Sequence, residues 1–142
     1  RLSLGDELPK LHHEANTLYW ANALLTMTYN FIDGVISSAD APPPFNIPRL
    51  CFVNAGLALA HSQLTKGLAK PKFGGMLCGV YLLEEKIEGG SDAFIKYIHN
   101  MDCGPSLSMD MDGYDIAEFL TFTQHVQYAK SGGLVIISDY QG

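Results

Sequence analysis

Residues 112–142 read DGYDIAEFLTFTQHVQYAKSGGLVIISDYQG. Ile116, Phe119, Leu120 and Val126 recur largely at three-to-four spacing, which predicts a helix of about four turns with one apolar face. Asp112 or Asp115 is the expected cap of its first turn and sets negative charge against the positive end of the helix dipole. Lys130 stands at the other end, and Gly132 and Gly133 supply the left-handed conformation that stops a helix. Leu134, Val135, Ile136 and Ile137 then make a short unbroken apolar run, the pattern of a buried strand. In a strand, side chains two apart share a face, so Asp139 and Gln141 are expected to project together, with Tyr140 opposite. A carboxylate beside an amide oxygen is a pair of hard donors suited to magnesium, and the carboxylate can also orient or accept the proton of an attacking hydroxyl. The plainer reading of the same residues is a polar strand end entering a turn, since Asp and Gly are ordinary turn residues.

Moving outward, MDCGPSLSMDM (101–111) reads as an irregular loop. Leu77 to Glu84 is an apolar run that turns acidic at Glu84 and Glu85, which fits a buried strand surfacing at its end. Ile87 to Gly90 is a turn, after which Ser91 or Asp92 is placed to cap a short helix containing Phe94 to Tyr97. Residues 61–75 carry Lys66, Lys70 and Lys72 among glycines and a proline, a solvated connection or a basic loop near phosphate. Neither a dinucleotide fingerprint nor a Walker-type phosphate loop occurs, which removes two common nucleotide-binding classes. Leu50 to Val53 suggests a strand, and Gly56 to Leu59 a second strand or short helix.

SSADAPPPFNIP (37–48) is the clearest loop. Its three successive prolines cannot continue a helix, and it reads as a connector before it reads as a ligand for a proline-binding domain. Upstream, Leu11, Ala15, Leu18, Ala21, Leu25, Tyr29 and Ile32 step by fours and threes, predicting a long amphipathic helix over 9–34. Pro9 suits its first turn, and Gly34 its stop. His12, His13 and Glu14 invite a metal reading, but adjacent helical residues point in different directions, so they read as a solvated helix start.

With 142 residues, 47% of them hydrophobic, the chain is one domain's worth and can form a real core. Its net charge of −6, without a basic run or face, argues against nucleic-acid binding. Cys51, Cys78 and Cys103 are odd in number and unpaired in spacing, which favours reduced thiols in an intracellular setting. No signal peptide or apolar run of transmembrane length is evident, so the expectation is a cytoplasmic chain with no membrane partner.

Two blocks carry a resemblance. Glu84-Glu85-Lys86-Ile87-Glu88-Gly89, followed by Phe94-Ile95-Lys96-Tyr97-Ile98-His99-Asn100, is similar to the alpha-kinase pattern Glu-x-x-Ile-x-Gly and Phe-x-Lys-Tyr-Asn-x-Asn. Phe122-Thr123-Gln124-His125, then Gly132-Gly133, then Asp139-Tyr140-Gln141-Gly142 resembles the helix with Phe-x-His, the glycine turn and the strand ending Asp-x-Gln-Gly of the same atypical protein kinases. The Phe-to-His spacing is looser than in the best-known members, and Ile98 stands where the family usually has Asn. The resemblance covers residues 77–142 and extends to the helix of 9–34 by position and pattern only.

The resemblance implies an α+β, atypical protein-kinase-like two-lobe fold, incomplete at both ends, so that residues 1–142 form a partial alpha-type kinase domain. Residues 9–34 would be an N-lobe helix, 77–89 a strand and hinge, and 112–142 a helix and catalytic strand. The implied activity is ATP-dependent phosphorylation of protein Ser/Thr. Asp139 would act on the acceptor hydroxyl, Glu84 would meet adenine, Gln141 would ligate magnesium, and His125 would be the first ligand of a structural zinc whose partners are missing. The family's phosphate-binding Lys falls before residue 1; its second metal-binding Asp, its glycine-rich substrate loop and its His-x-Cys-x-x-x-Cys set fall after residue 142. The rival expectation is a non-catalytic remnant that binds a protein partner. A metal-dependent hydrolase built on Asp139 and the histidines is weaker, because it needs three convergent ligands that the spacing does not supply.

Overall fold

The computed structural model describes residues 4–62, 77–89 and 94–142. Four elements occur among them: helix α1 (Leu4–Ser37), strands β1 (Ala55–His61) and β2 (Leu77–Glu84), and helix α2 (Tyr114–Lys130). The class is α+β, as expected. Contacts divide the chain into two compact units, Arg1–Trp20 with Val53–Lys86, and Ala21–Phe52 with Ile87–Gly142.

Helix α1 is longer than its apolar spacing predicts. It begins at Leu4, so Pro9 lies inside it, past the first turn, where its missing N–H removes one bond near the helix start. It also runs through Gly34 to Ser37, because a single glycine in a helix costs only about 1 kcal/mol and does not by itself end one.

In the first unit, β1 and β2 form a two-stranded antiparallel ladder. The register pairs Ala55 with Glu84 and runs to Ala60 opposite Gly79, with an irregularity between Ala60 and His61. Leu77–Glu84 is therefore a strand, but not the buried one expected, since only Gly79 and Val80 are buried and Tyr81 and Leu83 are exposed; the ambiguous Gly56–Leu59 run is strand. Asn54 and Glu85 close the open end: the Glu85 N–H donates to Asn54 O at 2.8 Å, and Glu85 Oε2 accepts from Asn54 N and Nδ2 at 3.2 and 2.9 Å. A Cβ on Gly79 would stand 2.8 Å from the Tyr81 hydroxyl, so a larger residue there needs the exposed Tyr81 ring to swing aside. Lys66, Lys70 and Lys72 lie outside the described residues.

In the second unit, Ala21, Leu24, Leu25, Thr28 and Ile32 are the buried face of α1, continuing the predicted spacing. Tyr29 pins the following loop: its hydroxyl donates to Pro48 O at 3.0 Å and accepts from the Leu50 N–H at 2.7 Å. Residues 50–53 are consequently held as irregular chain, and the strand expected there does not form. Arg49 lies over the Tyr29 ring at 4.8 Å and donates to the Asp33 carboxylate, whose pKa is lowered chiefly by that hydrogen bond.

Helix α2 buries Ala117, Leu120, Thr123, Gln124, Val126 and Gln127. Its cap differs from expectation: Gly113, at φ 85°, holds the N-cap position without a side-chain hydrogen bond, while Asp115 remains in the first turn to oppose the dipole. A Cβ on Gly113 would come 3.2 Å from the Tyr97 ring, so the close approach of that ring selects glycine over a capping aspartate. The glycine stop is as predicted. Gly132 and Gly133 have φ of 70° and 81°, and their N–H groups donate to Ala129 O and Tyr128 O, the paired bonds of a Schellman termination.

Two further expectations fail in this unit. Phe94 to Tyr97 is extended rather than helical, with bridges from Lys96 to Gln141 and from Ile98 to Pro105; the proposed caps Ser91 and Asp92 lie outside the described residues. Leu134 to Ile137 is not a buried strand but irregular chain, with Leu134, Val135 and Ile136 exposed. An apolar run becomes a strand only where another strand offers a free edge, and here the backbone of Ile137 is bound by side chains instead.

Candidate functional site

The site is built on the antiparallel pairing of residues 95–97 with 140–142. Ile95 and Gly142 exchange both backbone hydrogen bonds, at 2.8 and 3.1 Å, and the Tyr97 N–H donates to Tyr140 O at 2.9 Å. Lys96 and Gln141 are therefore directly opposed between hydrogen-bonded pairs, where cross-strand side chains approach most closely and share a face. The Lys96 ammonium meets the Asp139 carboxylate at 2.5 Å. Lys96 thus has Asp139 as its ion-pair partner and Gln141 as its cross-strand neighbour. Both members of the ion pair stay roughly half exposed, so the carboxylate remains accessible from solvent.

Asp139 does not sit in a strand. Its φ is 61°, the only positive φ among the described non-glycine residues. The left-handed conformation costs an ordinary side chain about 1–2 kcal/mol, less for Asp and Asn, and it persists only where the surroundings over-determine it. The expected reason for Asp139 and Gln141 to face one another, strand alternation, is accordingly wrong; Lys96 is what relates them.

The over-determining surroundings are on α2. Gln127 Oε1 accepts from the Ile137 N–H at 2.8 Å, and its Nε2 donates to the Tyr140 hydroxyl at 3.3 Å. Gln124, one turn earlier, donates from Nε2 to Ile137 O at 2.7 Å. The Thr123 hydroxyl lies 3.3 Å from the same Tyr140 oxygen and donates to Leu120 O. Both backbone groups of Ile137 are thereby satisfied by two amide side chains, in place of a strand ladder. Tyr140 is buried, with its ring stacked on Phe52 at 6.0 Å, and joins Ile98 and Leu120 in the core. Burial is the main cause of the raised pKa of its phenol, against which the Thr123 and Gln127 hydrogen bonds act. Tyr140 is therefore a neutral anchor.

An apolar groove of about 190 Å³, lined in part by Leu50, Phe52, Tyr97 and Ile116, opens beside Gln141 and Gly142. It is smaller than the roughly 300–1,000 Å³ usual for small-molecule pockets, and we assign it no ligand.

Of the residues expected to act, Asp139 and Gln141 lie in this unit beside Lys96, which the sequence reading assigned no role. Its signal was present as the Lys of Phe-x-Lys-Tyr. Glu84 is the exposed last residue of β2 and belongs to the other unit, where Glu85, not Glu84, makes the hydrogen bonds to Asn54. His125 is exposed on α2. Among the described residues no group of at least three His, Cys, Asp or Glu could hold a metal, and His125 has no such companions there. Asp139 and Gln141 carry oxygens of the kind magnesium takes, and the Asp139 carboxylate is engaged by the Lys96 ammonium. Among the described residues no helix is long and apolar enough to cross a membrane.

The fold and site define an α+β chain with a half-exposed Lys–Asp pair anchored on a polar helix face. No family model, curated protein or solved structure matches the chain.

Proposed function

We propose that the chain is an alpha-kinase-type protein Ser/Thr kinase domain of two-lobe kinase-like architecture, with Asp139 acting on the acceptor hydroxyl and ATP and a protein as its substrates. The observation that carries this reading is the pairing of residues 95–97 with 140–142. The two blocks that resemble the family are far apart in sequence. Lys96 of the first and Asp139 of the second nonetheless meet as an ion pair.

In this reading Asp139 orients the acceptor hydroxyl and takes its proton as the oxygen bonds to the γ-phosphorus of ATP. The bond from that phosphorus to the β,γ-bridging oxygen breaks, and ADP leaves with the electron pair. Positioning and charge neutralisation supply most of the catalysis in such transfers. Lys96 holds the carboxylate where an incoming hydroxyl can reach it, and Gln141 offers the amide oxygen for magnesium. Magnesium, when bound, would neutralise charge developing on the phosphate oxygens. Glu84 is assigned to adenine by the resemblance alone.

The test is transfer of radiolabelled γ-phosphate from ATP to casein, a generic Ser/Thr acceptor. A version extended to carry the phosphate-binding Lys and second metal-binding Asp that the resemblance places outside residues 1–142 is expected to label it, and Asp139→Ala within it to abolish labelling while leaving the circular dichroism spectrum unchanged. Labelling that survives in Asp139→Ala contradicts the assignment.

A second reading has its own observation. Leu134, Val135 and Ile136 are exposed in irregular chain, an apolar stretch of the kind that serves a protein-binding module without catalysis. A chain that is folded yet neither labels casein nor binds nucleotide would favour it.

A further inference from the structure

Resting on the kinase reading, we infer that Gln127 is a positioning residue for Asp139: its single amide holds the chain on both sides of the catalytic carboxylate. Its Oε1 binds the Ile137 N–H, two residues before Asp139, and its Nε2 binds the Tyr140 hydroxyl, one residue after. The Gln127 side chain is fully buried, and both its polar atoms are used. Between the two attachment points the backbone turns through the left-handed φ of 61° at Asp139. A residue in that conformation relaxes unless its flanks are fixed, and here they are fixed by a helix.

Three further features give the clasp its direction. Gln124 holds the carbonyl of the same Ile137 from one turn earlier on α2, so the peptide plane before Ser138 and Asp139 cannot rotate freely. Tyr140 is locked at its ring by Phe52 and at its hydroxyl by Thr123 as well as Gln127. On the far side, the Tyr140 carbonyl accepts from the Tyr97 N–H, which sets the register that opposes Lys96 to Gln141. The carboxylate is thus aimed at Lys96 by two supports, the paired segment on one side and the polar face of α2 on the other. Removing the amide frees the second support without touching a substrate-facing group.

The expected consequence is a loss confined to turnover. A catalytic group misplaced by about 1 Å can cost on the order of a hundredfold in rate. Gln127 does not itself meet nucleotide, so kcat should fall by a larger factor than KM for ATP rises.

The experiment measures kcat and KM for magnesium-ATP with casein as acceptor, for the same extended version and its Gln127→Met, Tyr140→Phe and double variants, each checked for folding by circular dichroism. The inference predicts kcat lowered tenfold or more in Gln127→Met with a smaller change in KM, a smaller fall in kcat in Tyr140→Phe, and a double variant no worse than Gln127→Met, since both remove one hydrogen bond in common. Should Gln127→Met fail to fold, Tyr140→Phe, which keeps the ring, carries the test through the same kcat-against-KM comparison. Wild-type kcat in folded Gln127→Met or, failing that variant, in Tyr140→Phe overturns the inference while leaving the kinase reading in place. So does a rise in KM equal to the fall in kcat. Absence of transfer by the extended version without substitution overturns the kinase reading itself, and the positioning role with it.

Discussion

The β1–β2 hairpin and the segment from Leu134 to Tyr140 begin from similar sequence and end differently. Leu77 to Leu83 and Leu134 to Ile137 are both short apolar runs. The first finds β1 and satisfies its backbone through a ladder of peptide groups. The second has its Ile137 peptide satisfied by Gln124 and Gln127, and Tyr140 held by Gln127 and Thr123. The two regions therefore differ in where substitution hurts. A ladder is made by the backbone and tolerates exchange of exposed side chains, whereas a clasp made by side chains can be removed by one mutation.

The largest effect should come from the clasp's anchor. Tyr140→Ala removes a buried ring stacked on Phe52 together with its hydroxyl, and urea denaturation should record a loss of about 3–5 kcal/mol. A loss near zero would mean the segment is not fastened there. Next, Gln127→Met leaves the Ile137 N–H and the Tyr140 hydroxyl without this partner, for about 1–3 kcal/mol. The matching change in the hairpin is Cys78→Ala, which deletes a thiol contact to Ala60 O on an exposed residue and should move stability by no more than about 0.5 kcal/mol. If the two cost the same, the distinction between ladder and clasp fails.

A sign difference sharpens it further. Asp139→Gly should be more stable than Asp139→Ala by about 1 kcal/mol, because only glycine adopts a φ of 61° without penalty. Gly34→Ala, in an α1 position with open space for a Cβ, should instead stabilise by about 0.5–1 kcal/mol.

The smallest effects concern pH. The Tyr140 phenol has a raised pKa, so the folded state holds its proton more tightly than the unfolded chain. Its contribution is complete below the unfolded tyrosine value of about 10 and is lost as pH rises past it; Tyr140→Phe should remove that part of the alkaline loss. The Asp33 carboxyl is shifted the other way by Arg49, so its contribution is present above the ordinary carboxylate range and disappears as pH falls below it. Arg49→Ala should flatten that acid limb slightly, and added salt should do the same, because the pair is exposed.

Helix α2, its glycine termination and β2 were legible because each rests on local signals: residue spacing, positive-φ glycines and an apolar run ending in acids. The failure at Leu134–Ile137 has a physical cause, since composition states that a backbone is fit for a strand but not whether an edge awaits it. The apolar stripe of α2 pointed to Ile116 and Phe119, which are only half buried, while the fully buried face includes Thr123 and Gln127. Polar residues at helical spacing beside Leu120 and Val126 were the available sign that this face binds chain rather than oil. Lys96 was hidden differently, because its partner Asp139 is far away in sequence and meets it only through a pairing that no local pattern announces.

The most direct measurement of the central claim is calorimetric titration of the folded chain with magnesium-ATP, beside Asp139→Ala and Gln141→Ala. Saturable binding by the intact chain, weakened when Asp139 or Gln141 is removed, is the predicted result. A folded chain that takes up no magnesium-ATP, or variants that bind it as the intact chain does, would contradict the placement of the nucleotide site at Asp139 and Gln141.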